Sequence, residues 1–271
     1  MNKIERMLQE LCPEGVEYLS LGECIEIYTG IQFNKRDMSE VGTYPVLNGG
    51  INPSGFTEKY NEEKDTITIS QGGASAGYVN WMDCKFWAGA HCFVVKPNNN
   101  ILNNRYLYFL LKNSEQILMQ AKHGAGIPGL NRDKVKNLIM PVPPLPIQEE
   151  IVRILDHFTE LTAELQARQE QYEYYRNKLL TFDAGSVSCM KMSEIMDISR
   201  GASPRPISLY ITESAEGVNW IKIGDVSPTS KYVTSTKEKI TKAGAKKSKY
   251  LQNGDFILSN SMSFGRPYIL K

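Results

Sequence analysis

Apolar positions along the chain change period three times, and each change predicts a different element. Ile4, Met7, Leu8 and Leu11 recur at three- and four-residue steps, which predicts a short amphipathic helix stopped by Pro13 and Gly15. From Val16 to Pro97 short β-type runs alternate with turn residues. The runs are Cys24–Tyr28, Tyr44–Leu47, Thr66–Ser70, Gly77–Trp81 and His91–Val95, and Gly30, Asn48-Gly49-Gly50, Pro53, Gly55 and Gly72-Gly73 separate them. A helix is expected from about Asn104, with Tyr106, Leu107, Leu110, Leu111 and Leu118 at helical spacing, closing near His123-Gly124. The prolines of Met140–Pro146 then predict an extended, stiff connector.

Beyond that connector the period becomes 3.5. Ile147, Ile151, Ile154, Phe158, Leu161, Leu165, Arg168, Tyr172, Tyr175, Leu179 and Phe182 follow one another in alternating steps of four and three. This is a heptad seam broken only by Arg168, on a helix roughly 54 Å long at about 1.5 Å rise per residue. A helix lying on its own domain drifts at 3.6, so a sustained 3.5 predicts a partner helix. The chain contains no second heptad run, and the partner is expected from elsewhere.

After residue 186 the opening pattern returns. Leu21-Gly-Glu-Cys-Ile-Glu-Ile-Tyr-Thr-Gly30 aligns with Met192-Ser-Glu-Ile-Met-Asp-Ile-Ser-Arg-Gly201. Tyr44–Gly50, Asp65–Ser70 and Ser75–Gly77 find counterparts, in the same order, in Trp220–Asp225, Asp255–Ser259 and Ser263–Gly265. A shared order predicts a diverged repeat. By analogy with the first copy, the second stops at Lys271 in a strand, before its helix and its rod. The expected fold class is α+β: a β-rich domain with flanking helices at 1–146, a long coiled-coil helix at 147–185, and the start of a second such domain at 186–271.

The 271 residues suggest one or two domains, and 41% apolar with 23% charged residues describes a soluble protein with a real core. A disordered tail, a collagen and a disulfide-stapled mini-domain are excluded. No apolar run approaches the length of a membrane span, and the N-terminus carries no signal core. Five scattered cysteines point to reduced thiols in a cytoplasm. The net charge of +1 hides a division. Residues 1–30 hold two basic and six acidic groups; 31–140 hold twelve and nine; 141–185 hold four and eight; 186–271 hold thirteen and seven. Two positive blocks are thus separated by a negative one, a pointer to a polyanion.

Catalytic and cofactor motifs fail on context. Gly124-Ala-Gly126-Ile-Pro-Gly129 follows a helix instead of a strand and contains Pro128, so it is no dinucleotide fingerprint. Gly72–Gly77 lacks the ending of a P-loop and reads as a turn whose backbone approaches a ligand closely. Cys84, His91 and Cys92 lack a paired-cysteine spacing and read as core, so no metal is expected. Neither a nucleophile-base-acid set nor a methyltransferase, helicase or nuclease signature is present. The chain is expected to be non-catalytic and to bind no cofactor.

Binding remains. Lys237, Lys239, Lys242, Lys246, Lys247 and Lys249 crowd one stretch of the second block, a like-charge cluster that an anion would relieve. The loops of the first block carry Gln32, Asn34, Lys35, Arg36, Asn48, Gln71, Gly72, Gly73, Ser75, Lys122 and His123. Amide and guanidinium groups can read base edges, while lysines and backbone N–H groups position phosphates.

These segments resemble the specificity subunit of type I restriction-modification enzymes. Leu8-Gln-Glu-Leu-Cys-Pro-Glu-Gly-Val-Glu-Tyr18 with Leu21-Gly-Glu23 is similar to the family's N-terminal segment. Ile69-Ser-Gln-Gly-Gly-Ala-Ser-Ala-Gly-Tyr-Val79 and Ala88-Gly-Ala-His-Cys-Phe-Val-Val95 resemble the body of its target recognition domain. The most specific match runs from Gly126-Ile-Pro-Gly-Leu-Asn131 through Met140-Pro-Val-Pro-Pro-Leu-Pro-Ile-Gln-Glu-Glu-Ile-Val-Arg-Ile-Leu-Asp156, the family's junction between recognition domain and helix. The resemblance implies a reader of one half of a bipartite double-stranded DNA target. It implies methyltransferase subunits carrying S-adenosylmethionine and a restriction and translocase subunit using ATP. A full member carries two recognition domains and two rods. Here the second set is missing or unfinished, so the seam residues Ile147, Ile151, Ile154, Phe158, Leu161, Leu165, Tyr172, Tyr175 and Leu179 are expected to pair with a second copy or a complementary fragment. Two other classes stay open: a coiled-coil scaffold without a DNA role, and the recognition part of a fused restriction-methylation enzyme.

Overall fold

Asn2 and Glu5 cap each other at the start of the chain. The Asn2 side chain accepts from the Glu5 amide and the Glu5 carboxylate accepts from the Asn2 amide, each at 2.8 Å, and helix α1 (Lys3–Leu11) follows. The structure is a computed structural model that describes residues 2–121, 128–183, 185–227, 229–260 and 265–271. Its chain divides into two compact units, Met1–Thr181 and Phe182–Lys271.

In the first unit α1 leads to β1 (Tyr18–Ser20), the single turn α2 (Leu21–Cys24) and β2 (Ile25–Thr29). Six further strands follow: β3 (Tyr44–Leu47), β4 (Gly55–Thr57), β5 (Thr66–Ser70), β6 (Val79–Met82), β7 (Trp87–Ala88) and β8 (Cys92–Pro97). They form an antiparallel sheet in the order β2-β8-β5-β6 and a smaller sheet β4-β3-β7, in which β3 and β7 run parallel. The apolar run Cys92-Phe-Val-Val95 has no polar alternation because both faces of β8 are covered. Phe93 and Val95 join Ile27, Ile67 and Ile69 in the main core, and Cys92 and Val94 join Leu47, Phe86 and Ala88 in a second core on the opposite face.

Helices close the main core. The helix expected from Asn104 to His123 is two helices, α3 (Asn104–Asn113) and α4 (Glu115–Gln120), broken at the buried Ser114. The His123-Gly124 terminus lies outside the described residues. Helix α5 (Arg132–Lys136) and strand β9 (Ile139–Pro141) follow, and β9 pairs antiparallel with β1, Leu19 opposite Met140.

The long helix α6 (Leu145–Leu180) begins inside the proline segment, earlier than its seam suggests. Pro146 lies in the first turn, where the missing N–H has no intrahelical partner in any case. The fully buried Gln148 locks that turn. Its amide donates to the Ile101 and Pro143 carbonyls at 2.8 and 2.7 Å, and its oxygen accepts from the Asn103 amide at 2.8 Å. Farther along α6, Glu150 pairs with Lys3 of α1 and with Arg153, and Asp156 pairs with Arg105 of α3.

The second unit contains α7 (Met192–Ile195), β10 (Ile211–Thr212), β11 (Val218–Trp220), β12 (Tyr232–Val233), β13 (Glu238–Ile240), α8 (Lys242–Ala245), β14 (Phe256–Leu258) and β15 (Pro267–Leu270). Its sheets are β10-β13-β11 and β12-β15-β14. The repeat appears as two single helical turns, Leu21–Cys24 and Met192–Ile195, at the aligned positions. It appears again as two hairpins, β5–β6 and β14–β15, each returning through a glycine of positive φ, Gly77 at 94° and Gly265 at 78°. It ends there. The counterpart of β2, residues 196–200, is not a strand, and Ile198 is 71% exposed where Ile27 is 4% exposed. Trp220–Asp225 ends an edge strand and enters a 3-10 turn, unlike Tyr44–Leu47 at the centre of its sheet. Ser263 lies outside the described residues.

Candidate nucleic-acid interface

Register puts the loops of the first unit at one end of its two sheets. Thr29 lies opposite Phe93 and Ser70 opposite Cys92, so β2 and β5 end where β8 begins. Leu47 lies beside Ala88, which brings β3 to the same end. The segments 30–38, 48–54, 71–78 and 89–91 therefore emerge together.

Hydrogen bonds tie these segments to one another. The Gly30 amide donates to Cys92, and the Ile31 amide to Ala88 at 2.8 Å, an approach with no room for a side chain at Gly30. The Trp87 indole donates to the Ile31 carbonyl at 2.8 Å and its ring meets Phe33 edge-on at 4.9 Å. The Gly89 amide donates to Leu47, and the Gln71 amide to His91 at 2.9 Å. Ser70 and Ser75, with hydroxyls 3.3 Å apart, both donate to the Gly49 carbonyl, Ser75 at 2.9 Å. The Leu130 amide donates to Gln71 and the Gly73 amide to Pro128, so the segment 128–130 joins the same end.

Within this frame the expected contact residues of the first unit that are described divide by burial. Gln32, Asn34, Lys35 and Arg36 are exposed, and Lys35–Asp37 form a 3-10 turn. Asn48 and Gln71 are half-buried, and the Asn48 side-chain oxygen is buried with no hydrogen-bond partner among the described residues. Gly72 bridges to Gly129, which accounts for one glycine of the apparent fingerprint. The Ser75 hydroxyl faces Gly49 within the frame, and Ser70, buried at the end of β5, is a loop-holding residue that sequence reasoning missed. A hydroxyl at a strand end carries no signal that distinguishes the two uses. Lys122 and His123 lie outside the described residues.

Cys84, His91 and Cys92 separate instead of sharing a core. Cys92 is buried, and burial pushes its thiol up to about 12. Cys84 is exposed on the loop before β7, and His91 is exposed at the loop end of β8. Among the described residues no group of three His, Cys, Asp or Glu could hold a metal ion. Behind the loops, Tyr28 donates to Glu62 at 2.9 Å and Lys96 pairs with the same carboxylate at 3.1 Å. Burial, then the Glu62 hydrogen bond, raise the Tyr28 hydroxyl above its ordinary range.

In the second unit the lysine run passes through a strand, a short helix and the turn after it. Lys239 lies on β13 and Lys242 opens α8, paired with Glu216 at 3.0 Å. Lys246 and Lys247 are exposed, Lys247 donating to the Tyr210 hydroxyl at 2.5 Å.

On α6 the seam divides in two. Ile147 is buried, and Ile151 and Ile154 are half-buried on the chain's own first unit. Phe158, Leu161, Leu165, Tyr172, Tyr175 and Leu179 are all exposed. Among the described residues no helix is long and apolar enough to cross a membrane.

Residues 13–173 match the family model of the type I restriction modification DNA specificity domain. A Haemophilus influenzae protein described as a type I restriction enzyme specificity subunit is 31% identical over 98% of this chain and 71% of its own length. The specificity subunit of the EcoR124I/EcoR124II type I restriction enzyme of Escherichia coli is 30% identical over 89% of this chain. The chain spans 62% of that relative. The crystal structure of a type I restriction-modification S subunit from M. genitalium shares the fold, with a TM-score of 0.57 over 94% of this chain and 69% of that one, at 20% identity.

Proposed function

The chain belongs to the type I restriction-modification specificity subunits, and from that premise we propose that its loop cluster reads one half of a bipartite duplex DNA target. The observation that carries this is the convergence of five chain segments, cross-bonded through Gly49, His91, Ala88 and Gln71, into one surface that presents polar side chains from a rigid frame. Discrimination between bases needs side chains that do not move with their loops. Gln32 and Gln71 have the paired donor and acceptor that suit base edges, Asn48, its side-chain oxygen buried, would offer its amide N–H alone, and Lys35 and Arg36 suit phosphates. Gly72 and Gly73, with nothing among the described residues within 4 Å of a side-chain position, would let the duplex backbone approach. Ser75 supports the frame. Lys122 and His123 would add DNA contacts, and Lys242, Lys246 and Lys247 would contact phosphates from the second unit.

The chain supplies recognition and its partners supply chemistry. Methyltransferase subunits would hold S-adenosylmethionine, and a restriction and translocase subunit would use ATP. The exposed seam from Phe158 to Leu179 would pair with a second copy or a complementary fragment. The test is methylation-site mapping in cells expressing this chain with its methyltransferase. A bipartite motif absent from cells lacking the chain is expected, and a palindromic one would mean two copies of the first unit. Methylation unaffected by the chain would leave a scaffold role and refute the reading.

A further inference from the structure

His91 lies between the Gly49 and Gln71 segments of the loop cluster and belongs to none of the amide or lysine contacts assigned above. It is exposed, and it directly precedes β8, whose Phe93 and Val94 are buried. Its main chain is fixed from two other directions. The carbonyl accepts from the Gln71 amide at 2.9 Å. Gly49 crosses it so closely that a side chain there would begin 2.7 Å from the His91 carbonyl and 2.9 Å from its Cβ. Gly49 has φ +96°, which glycine adopts without strain, and its own carbonyl is held by Ser70 and Ser75. Among the described residues nothing hydrogen-bonds the imidazole. An unengaged polar ring thus stands on a main chain that three segments immobilise.

We propose that His91 is a specificity-determining residue that reads a purine edge in the major groove, an inference that rests on the DNA-reading role above. Imidazole carries an N–H donor, and both purines present the N7 acceptor at the major-groove edge, beside O6 in guanine or an amino group in adenine. The ring is short and has few rotamers, so ordering it against a base loses less entropy than ordering a lysine. Its fixed main chain places that donor reproducibly, which a hydrogen bond needs if it is to discriminate. Ser75 is then a positioning residue, acting through Gly49.

The experiment uses the full chain in complex with its methyltransferase subunits and a pool of duplexes randomised across the target, with bound sequences read out. For His91→Ala the expected motif loses its base preference at one position of one half-site, roughly tenfold in discrimination. Every other position, the spacing and the affinity for unrelated duplex stay as in wild type. Ser75→Ala should blur the same position more weakly. An unchanged motif from a His91→Ala complex overturns the inference while the DNA-reading role stands. So does an equal loss of binding on all sequences, which would make His91 a phosphate contact. A wild-type complex that enriches no motif removes the reading and the inference together. An unchanged melting temperature for His91→Ala establishes that the loops are still folded.

Discussion

Glu150 joins the first and last helices of the first unit and sets how they respond to acid. Hydrogen bonds from Arg153, then from Lys3, hold its carboxyl down from the ordinary 4.5 to about 2. As pH falls from about 4.5 to about 2 the unfolded chain takes up a proton that the folded chain refuses, so stability present above that window is lost across it. Glu150→Gln should therefore melt earlier than wild type at neutral pH and lose less between pH 5 and 2. Melting curves by circular dichroism check this, and parallel decline of the two proteins would contradict it. Neither this residue nor Gln148 was legible as a structural group. Both lie on the polar side of a heptad, and the groups that satisfy them, Lys3, Ile101, Asn103 and Pro143, come mainly from segments that only folding brings near. A loop serine such as Ser75 looks alike in sequence whether it faces a ligand or donates to a carbonyl within its own loops.

Helix α6 was the most legible element, because nine apolar or aromatic positions keep one period through its length and only Arg168 interrupts them. Its start was not, since a proline at the second helical position looks in sequence like a barrier. The strands β1, β4, β7 and β9, of two or three residues each, are too short to register a period, and they exist through pairing with distant segments. The exposed half of the seam makes a testable demand. A buried leucine or phenylalanine contributes about 1.5–3 kcal/mol, so placing charge at Phe158 and Leu165 should weaken helix pairing on the order of a hundredfold or more. Phe158→Glu with Leu165→Glu should sediment as a monomer at concentrations where wild type associates, with helical content unchanged. A wild-type chain that is monomeric at micromolar concentration, alone and with its methyltransferase, would remove the pairing proposal.

For the whole molecule, a net charge of +1 was the least informative number until it was divided along the chain. The basic residues 186–271 then suggested a phosphate-binding surface, and within the second unit Glu216 and Glu238 answer two of those lysines, Lys242 and Lys222. Lys246 lies exposed beside them, one turn along from Lys242, and Lys247 rests on the Tyr210 ring. Such charges act on any duplex alike, whereas the amides of the first unit act only where a base matches, so the two classes separate in one salt series. If Lys246 and Lys247 each neutralise a phosphate, Lys246→Ala with Lys247→Ala should flatten the slope of log K against log salt by about 1.8, equally on target and unrelated duplex. Gln71→Ala should leave that slope unchanged and reduce the preference for target over a single-base variant, by roughly tenfold for a well-formed contact. A slope unaltered by the lysine changes would assign those charges to solubility. A sequence-selective loss on changing them would move base reading into the second unit, where Lys246 would be a reader instead of an anchor.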